Sequence, residues 1–103
     1  MNGIILKLYF DEFKKEGNTP LYEHLLKLAH SLNIEGVTIC KGIAGYGRLG
    51  KIHEEHFWEL GSNVPVEMTM LTSRDQGKSF LDKITEGKIN LTYSMTECAW
   101  GRI

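Results

Sequence analysis

Cysteine and proline are scarce in this chain, and neither sign of charge is in excess. Two cysteines, Cys40 and Cys98, occur in 103 residues, far apart and without metal-ligand spacing. That gives little ground for a disulfide framework or a zinc site. A net charge of -1 excludes recognition of nucleic acid or an anionic membrane by overall charge, so any electrostatic recognition has to be local. No apolar run approaches membrane-spanning length, and the start, Met1 to Lys7, shows neither a basic leader nor a small-residue cleavage site. The expectation is a reduced, cytoplasmic setting with no membrane insertion. Internal repeats and low-complexity tracts are also lacking.

What is present describes one globular domain over residues 1–103, with 42% hydrophobic and 24% charged residues. A domain this small buries only roughly 60–70% of the surface its unfolded chain exposes, so association with further copies can supplement its core.

Hydrophobic period then separates the elements. Ile4, Leu6, Leu8 and Phe10 alternate with Ile5, Lys7 and Tyr9, predicting a first strand. After a polar stretch from Asp11 to Asn18, Thr19-Pro20 predicts a helix start, and Leu21, Leu25, Leu28 or Ala29 and Leu32 recur at helical spacing up to Asn33 and Gly36. Val37, Ile39 and Ile43 suggest a second strand, and Val64, Val66, Met68 and Met70 a third. Thr72-Ser73 can cap a second helix with Phe80, Leu81 and Ile84 inside, closing at Gly87. Ile89, Leu91, Tyr93 and Met95 complete a fourth strand.

This order predicts an α+β, ferredoxin-like βαββαβ two-layer sandwich: a four-stranded antiparallel sheet with two helices on one face. The other face would carry Lys7, Tyr9, Thr38, Cys40, Glu67 and Thr92, a mixed surface that a symmetric oligomer can pack. Gly45 to Asn63 has no clear period, and an insertion that long in so small a domain usually carries function or disorder.

The insertion opens on Gly42-Ile43-Ala44-Gly45-Tyr46-Gly47-Arg48-Leu49-Gly50-Lys51, where glycine and fixed positive charge are concentrated. Gly45, Gly47 and Gly50 spell a dinucleotide-binding fingerprint, but that fold needs the turn to open into a helix within a longer series of parallel crossovers, and the strands here are too few. Two readings remain. The glycines can serve only a tight bend out of the strand, or they can let successive backbone N–H groups converge on an anion, with Arg48 adding a two-pronged grip and Lys41 and Lys51 local potential.

At these residues the chain resembles the PII signalling proteins, in particular the PII-like family of uncharacterised proteins known as domain of unknown function one hundred and ninety. Leu8-Tyr9-Phe10, Pro20-Leu21-Tyr22-Glu23, Gly36-Val37-Thr38, Lys41-Gly42, Gly45-Tyr46-Gly47-Arg48, Ile52-His53 and Pro65-Val66-Glu67 carry the resemblance across nearly the whole chain. It implies a homotrimer with long T-loops between the second and third strands and nucleotide clefts between subunits. It implies a regulator rather than an enzyme, needing no cofactor and taking an adenine-type nucleotide as ligand. By position, Gly45, Gly47 and Arg48 would lie near a nucleotide phosphate, Lys88 would approach from the B-loop region, and Arg102 would belong to the C-terminal part of the cleft.

Departures narrow what the resemblance implies. Leu49 stands where PII proteins carry glutamine, which puts metal-assisted 2-oxoglutarate sensing in doubt, and Phe57 and Trp58 occupy the stretch that would hold the modified tyrosine. That aromatic pair can instead dock a protein target such as a transporter, channel or enzyme, or pack on a neighbouring subunit. A ligand-independent interaction module is thus the alternative to a nucleotide-binding regulator. His53 and His56 lack a third metal ligand, Cys98 has no companion histidine in a recognisable motif, and a small enzyme built on His53, His56 or Glu55 is the weakest reading.

Overall fold

The computed structural model describes residues 2–45 and 64–103. Strand β1 (Asn2–Asp11) follows its alternation: Ile4, Leu6, Leu8 and Phe10 are buried, while the intervening residues point to the other side. The polar stretch after it is not a plain connection. It folds into a miniature hairpin, β2 (Lys15–Glu16) and β3 (Thr19–Pro20), turned by Gly17 at φ 62. Thr19 therefore pairs with Glu16 rather than capping the helix, and Pro20 takes the N-cap position without a side-chain cap.

Helix α1 (Leu21–Ser31) buries Leu21, Leu25 and Ala29, one per turn along a single stripe, and the chain leaves it through Asn33 at φ 60. Strand β4 (Gly36–Lys41) stops before Ile43, which is 93% exposed, and β5 (Pro65–Thr72) buries Val66, Met68, Met70 and Thr72. Helix α2 (Arg74–Glu86) starts on a complete capping box: Ser73 accepts from the Gln76 N–H while the Gln76 side chain reaches back to Ser73. It buries Gly77, Phe80 and Ile84. A Cβ at Gly77 would stand 2.3 Å from Ile4 Cδ1, so glycine is what lets α2 lie so close to β1. Strand β6 (Thr92–Ala99) ends the fold.

The four long strands form one antiparallel sheet in the order β4-β5-β1-β6, and both helices pack on one face over the buried side chains of β1 and β5. This is the expected ferredoxin-like arrangement. The last strand departs in detail: Ile89 and Leu91 precede it and pack against the core, while Tyr93 and Met95, whose register opposite Leu8 and Leu6 puts them on the helix face, stay exposed. As an edge strand, β6 lies beyond the cover of the two helices.

The register defines two ends of the sheet. Asp11 opposes Pro65, Lys41 opposes Val66 and Tyr9 opposes Thr92 at the end where residues 42–64 join β4 to β5, the loop end. Ile4 opposes Thr72, Gly36 opposes Leu71 and Asn2 opposes Ala99 at the other, the tail end.

Candidate functional site

At the loop end the foot of the 42–64 connection is drawn tight. The Gly42 N–H donates to the Pro65 carbonyl at 2.7 Å, adding one rung beyond the β4–β5 ladder. A Cβ at Gly42 would meet Pro65 Cγ at 2.8 Å, and one at Gly45 would meet it at 3.1 Å. Close packing on Pro65 thus accounts for both glycines as a tight bend, and it leaves Gly45 itself exposed at the start of the connection.

Glu12, just past β1, fastens both feet of that connection. Its N–H donates to the Val64 carbonyl at 3.0 Å, on the incoming side. Its carboxylate Oε1 lies 2.5 Å from Lys41 Nζ, on the outgoing side. The Glu12 side chain is only 21% exposed against 53% for Lys41, and its other oxygen, Oε2, is buried with no hydrogen-bond partner among the described residues. An enclosed carboxylate oxygen without a donor costs about 1–3 kcal/mol, so among the described residues Lys41 satisfies this carboxylate only in part. Nothing in the sequence singles out Glu12: it sits in a short polar stretch without period, and its closeness to Lys41 and Val64 exists only through the sheet.

Lys88 also lies at the loop end, in the connection from α2 to β6, with φ 56 and its N–H on the Thr85 carbonyl at 3.0 Å. A lysine in the left-handed region is uncommon, and Gly87 before it keeps right-handed angles. Lys14 reaches from the hairpin to donate to the Asn90 carbonyl, which ties this connection down. Lys88 and Gly45 share an end of the sheet but leave from opposite edge strands, β6 and β4, about 14 Å apart by strand spacing. In a single chain they flank the sheet rather than face each other.

Arg102 lies at the tail end. The chain after β6 is held where the Trp100 indole N–H donates to the Thr72 carbonyl at 3.2 Å, and Arg102 Nε donates to Glu35 Oε2 at 3.1 Å across an exposed pair. The tail thus crosses beneath the sheet from β6 toward the start of β4, and within one chain it does not join Arg102 to Gly45 or Lys88. The same end has an open groove of about 410 Å³ lined by Asn2, Gly3, Arg74, Glu97 and Cys98, with Arg74 and Glu97 paired across it.

The sheet face away from the helices carries Ile5, Lys7, Tyr9, Thr38, Cys40, Glu67, Leu71 and Thr92, matching the expected mixed surface. Lys7 and Glu67 pair there at 3.1 Å, and the Glu67 hydrogen bond holds the Lys7 ammonium above its ordinary pKa. Both cysteines are free. Among the described residues no three His, Cys, Asp or Glu side chains gather as a metal would require, and no helix is long and apolar enough to cross a membrane. Gly47, Arg48, Leu49, His53, Glu55, His56, Phe57 and Trp58 lie outside the described residues.

The family model DUF190 (Uncharacterized ACR, COG1993) matches residues 3–96. The chain belongs to the DUF190 family. A UPF0166 protein of Aquifex aeolicus is 31% identical over 84% of the chain and 81% of its own length. One from Methanocaldococcus jannaschii is 33% identical over 91% and 87%. Among solved structures, this DUF190 chain is similar to CPII, a nitrogen regulatory PII-like protein from Thiomonas intermedia solved with ADP, AMP and bicarbonate, at TM-score 0.70 and 11% identity over 100% of this chain and 97% of that one. It is also similar to a PII-like signaling protein from Thermus thermophilus at TM-score 0.64 and 12% identity, covering 94% and 86%. At such identities the likeness is one of fold.

Proposed function

We propose that this chain is a PII-like regulatory protein that binds an adenine nucleotide in clefts between the subunits of a homotrimer. Occupancy would be reported to a protein target through the T-loop that begins at Gly45. The observation that carries this reading is the loop end itself. Gly45 and Lys88 emerge there from opposite edges of one sheet, too far apart to share a ligand within a chain, but suitably placed to meet when a second copy brings its β6 side to the first copy's β4 side. The mixed outer sheet face with exposed Tyr9 and Leu71 supports such packing. The similarity in fold to CPII, solved with ADP and AMP, supports the choice of ligand.

In this reading backbone N–H groups from Gly45 to Gly47 and the Arg48 guanidinium grip phosphate, and Lys88 of a neighbouring copy adds positive charge. Arg102, at the tail end of its own chain, joins only from a neighbouring copy and only when its exposed pair with Glu35 opens, a contact worth at most about 1 kcal/mol. The ligand shifts the loop's population only as far as it binds one state better than the other. Phe57 and Trp58 serve as the docking tip toward the target, a transporter, channel or enzyme. No catalytic step is assigned, and a cytoplasmic setting suits the free cysteines.

Calorimetry with ADP, AMP and ATP, with and without magnesium, tests this. Saturable binding to the wild type that falls tenfold or more in Arg48→Ala supports it, and absence of binding to a verified trimer removes the nucleotide. The ligand-independent module then takes its place, and capture of a target lost in a Phe57→Ala/Trp58→Ala variant would mark it.

A further inference from the structure

Glu12 contacts both feet of the 42–64 connection, and its contact with Lys41 is lopsided. The carboxylate is the enclosed member and the ammonium the exposed one, at 21% and 53%, so when the pair opens it is Lys41 that swings away and Glu12 that stays. Lys41 immediately precedes Gly42 and stands shortly before Gly45, which makes it the described cation closest in sequence to the start of the loop. In the structure this cation is committed to a carboxylate rather than turned to an incoming anion. Oε2, buried and without a hydrogen-bond partner among the described residues, adds a desolvation cost to the arrangement.

We propose that Glu12 is an internal competitor that sets the affinity of the loop base for the nucleotide's phosphates by holding Lys41 away from them. This rests on the nucleotide reading given above. A phosphate arriving at the loop base has to take Lys41 from Glu12 and leave an enclosed negative charge without its cation. That cost is subtracted from the binding free energy. The same carboxylate, while it keeps Lys41, holds the outgoing foot of the connection beside Val64 and the incoming one. Affinity and closure of the loop base are therefore set against each other at one side chain.

The test uses Glu12→Gln, Lys41→Met and the double variant, all retaining the Glu12 backbone bond to Val64, with folding checked by circular dichroism and Glu12→Ala as the substitute if the glutamine variant does not fold. ADP is titrated by calorimetry, with adenosine as the probe that lacks phosphate. Glu12→Gln is expected to tighten ADP roughly fivefold or more, the scale of one ion pair. Lys41→Met is expected to weaken ADP, the double variant to bind as Lys41→Met does, and adenosine to be indifferent to all three. Wild-type ADP binding that is unchanged or weakened in Glu12→Gln, or a gain that persists without Lys41, overturns the inference and leaves the nucleotide reading standing. Failure of every variant, wild type included, to bind ADP overturns both.

Discussion

The two ends of the sheet are held by different kinds of interaction. At the tail end two exposed ion pairs, Arg74–Glu97 and Arg102–Glu35, stand beside a set of links that are neutral and well satisfied: the Ser73–Gln76 capping box, Thr72 Oγ1 donating to Gln76 Oε1 at 2.9 Å, and Gln76 Nε2 donating to the Asn33 carbonyl at 2.9 Å and the Leu32 carbonyl at 3.3 Å. One side chain there caps the start of α2 and the end of α1 together, and Trp100 adds its indole to the Thr72 carbonyl. At the loop end α1 begins without a side-chain cap, and the contacts run through lysines, Lys41 to Glu12 and Lys14 to Asn90, next to a carboxylate oxygen with no partner among the described residues. Satisfied neutral bonds resist exchange, while a half-satisfied ion pair trades its partner readily. The tail end thus anchors the domain, and the loop end, where the proposed nucleotide would act, is held by contacts that exchange more readily.

Gln76→Ala should give the largest effect in this contrast, because it removes one half of the capping box, strands the buried Thr72 hydroxyl and frees the Leu32 and Asn33 carbonyls just past α1. A loss of about 2–3 kcal/mol is expected in urea unfolding. A loss below that of the loop-end variants would break the comparison. Gly42→Val comes next: the added side chain collides with Pro65 at the foot of the connection, and about 1–2 kcal/mol of destabilisation is expected by the same measurement.

Smaller still is the expected stability change in Glu12→Gln, under about 1 kcal/mol, since its half-exposed lysine partner returns to water. This small thermal cost beside a large change in ADP affinity would sharpen the contrast between anchoring and exchange. Arg102→Gln should be the quietest, within about 0.5 kcal/mol, its pair with Glu35 being exposed on both sides. A larger loss in differential scanning fluorimetry would show that the tail is more firmly fixed than its contacts suggest.

Much of the fold was legible in the sequence because its core strands write burial as strict alternation. Ile4, Leu6, Leu8 and Phe10 and Val66, Met68 and Met70 each mark one face. The short hairpin was not legible, since two-residue strands have no period, and Thr19 followed by Pro20 imitates a helix cap. The start of the last strand was misplaced because Ile89 and Leu91 are apolar for packing in a connection rather than in a ladder. The site was legible only as chemistry. Gly45 could be singled out by residue type and Lys88 only through the resemblance to PII proteins, and their separation across the sheet is a product of strand order. Glu12 acquires its role only when β1, β4 and β5 lie side by side.

The central claim, that the loop ends of neighbouring copies share a nucleotide, is tested most directly by native mass spectrometry of the purified chain titrated with ADP. The account predicts a trimer that takes up ADP stepwise to one per subunit and no ADP on any monomer. ADP retained by a monomer, or a trimer that never gains its mass, would contradict it.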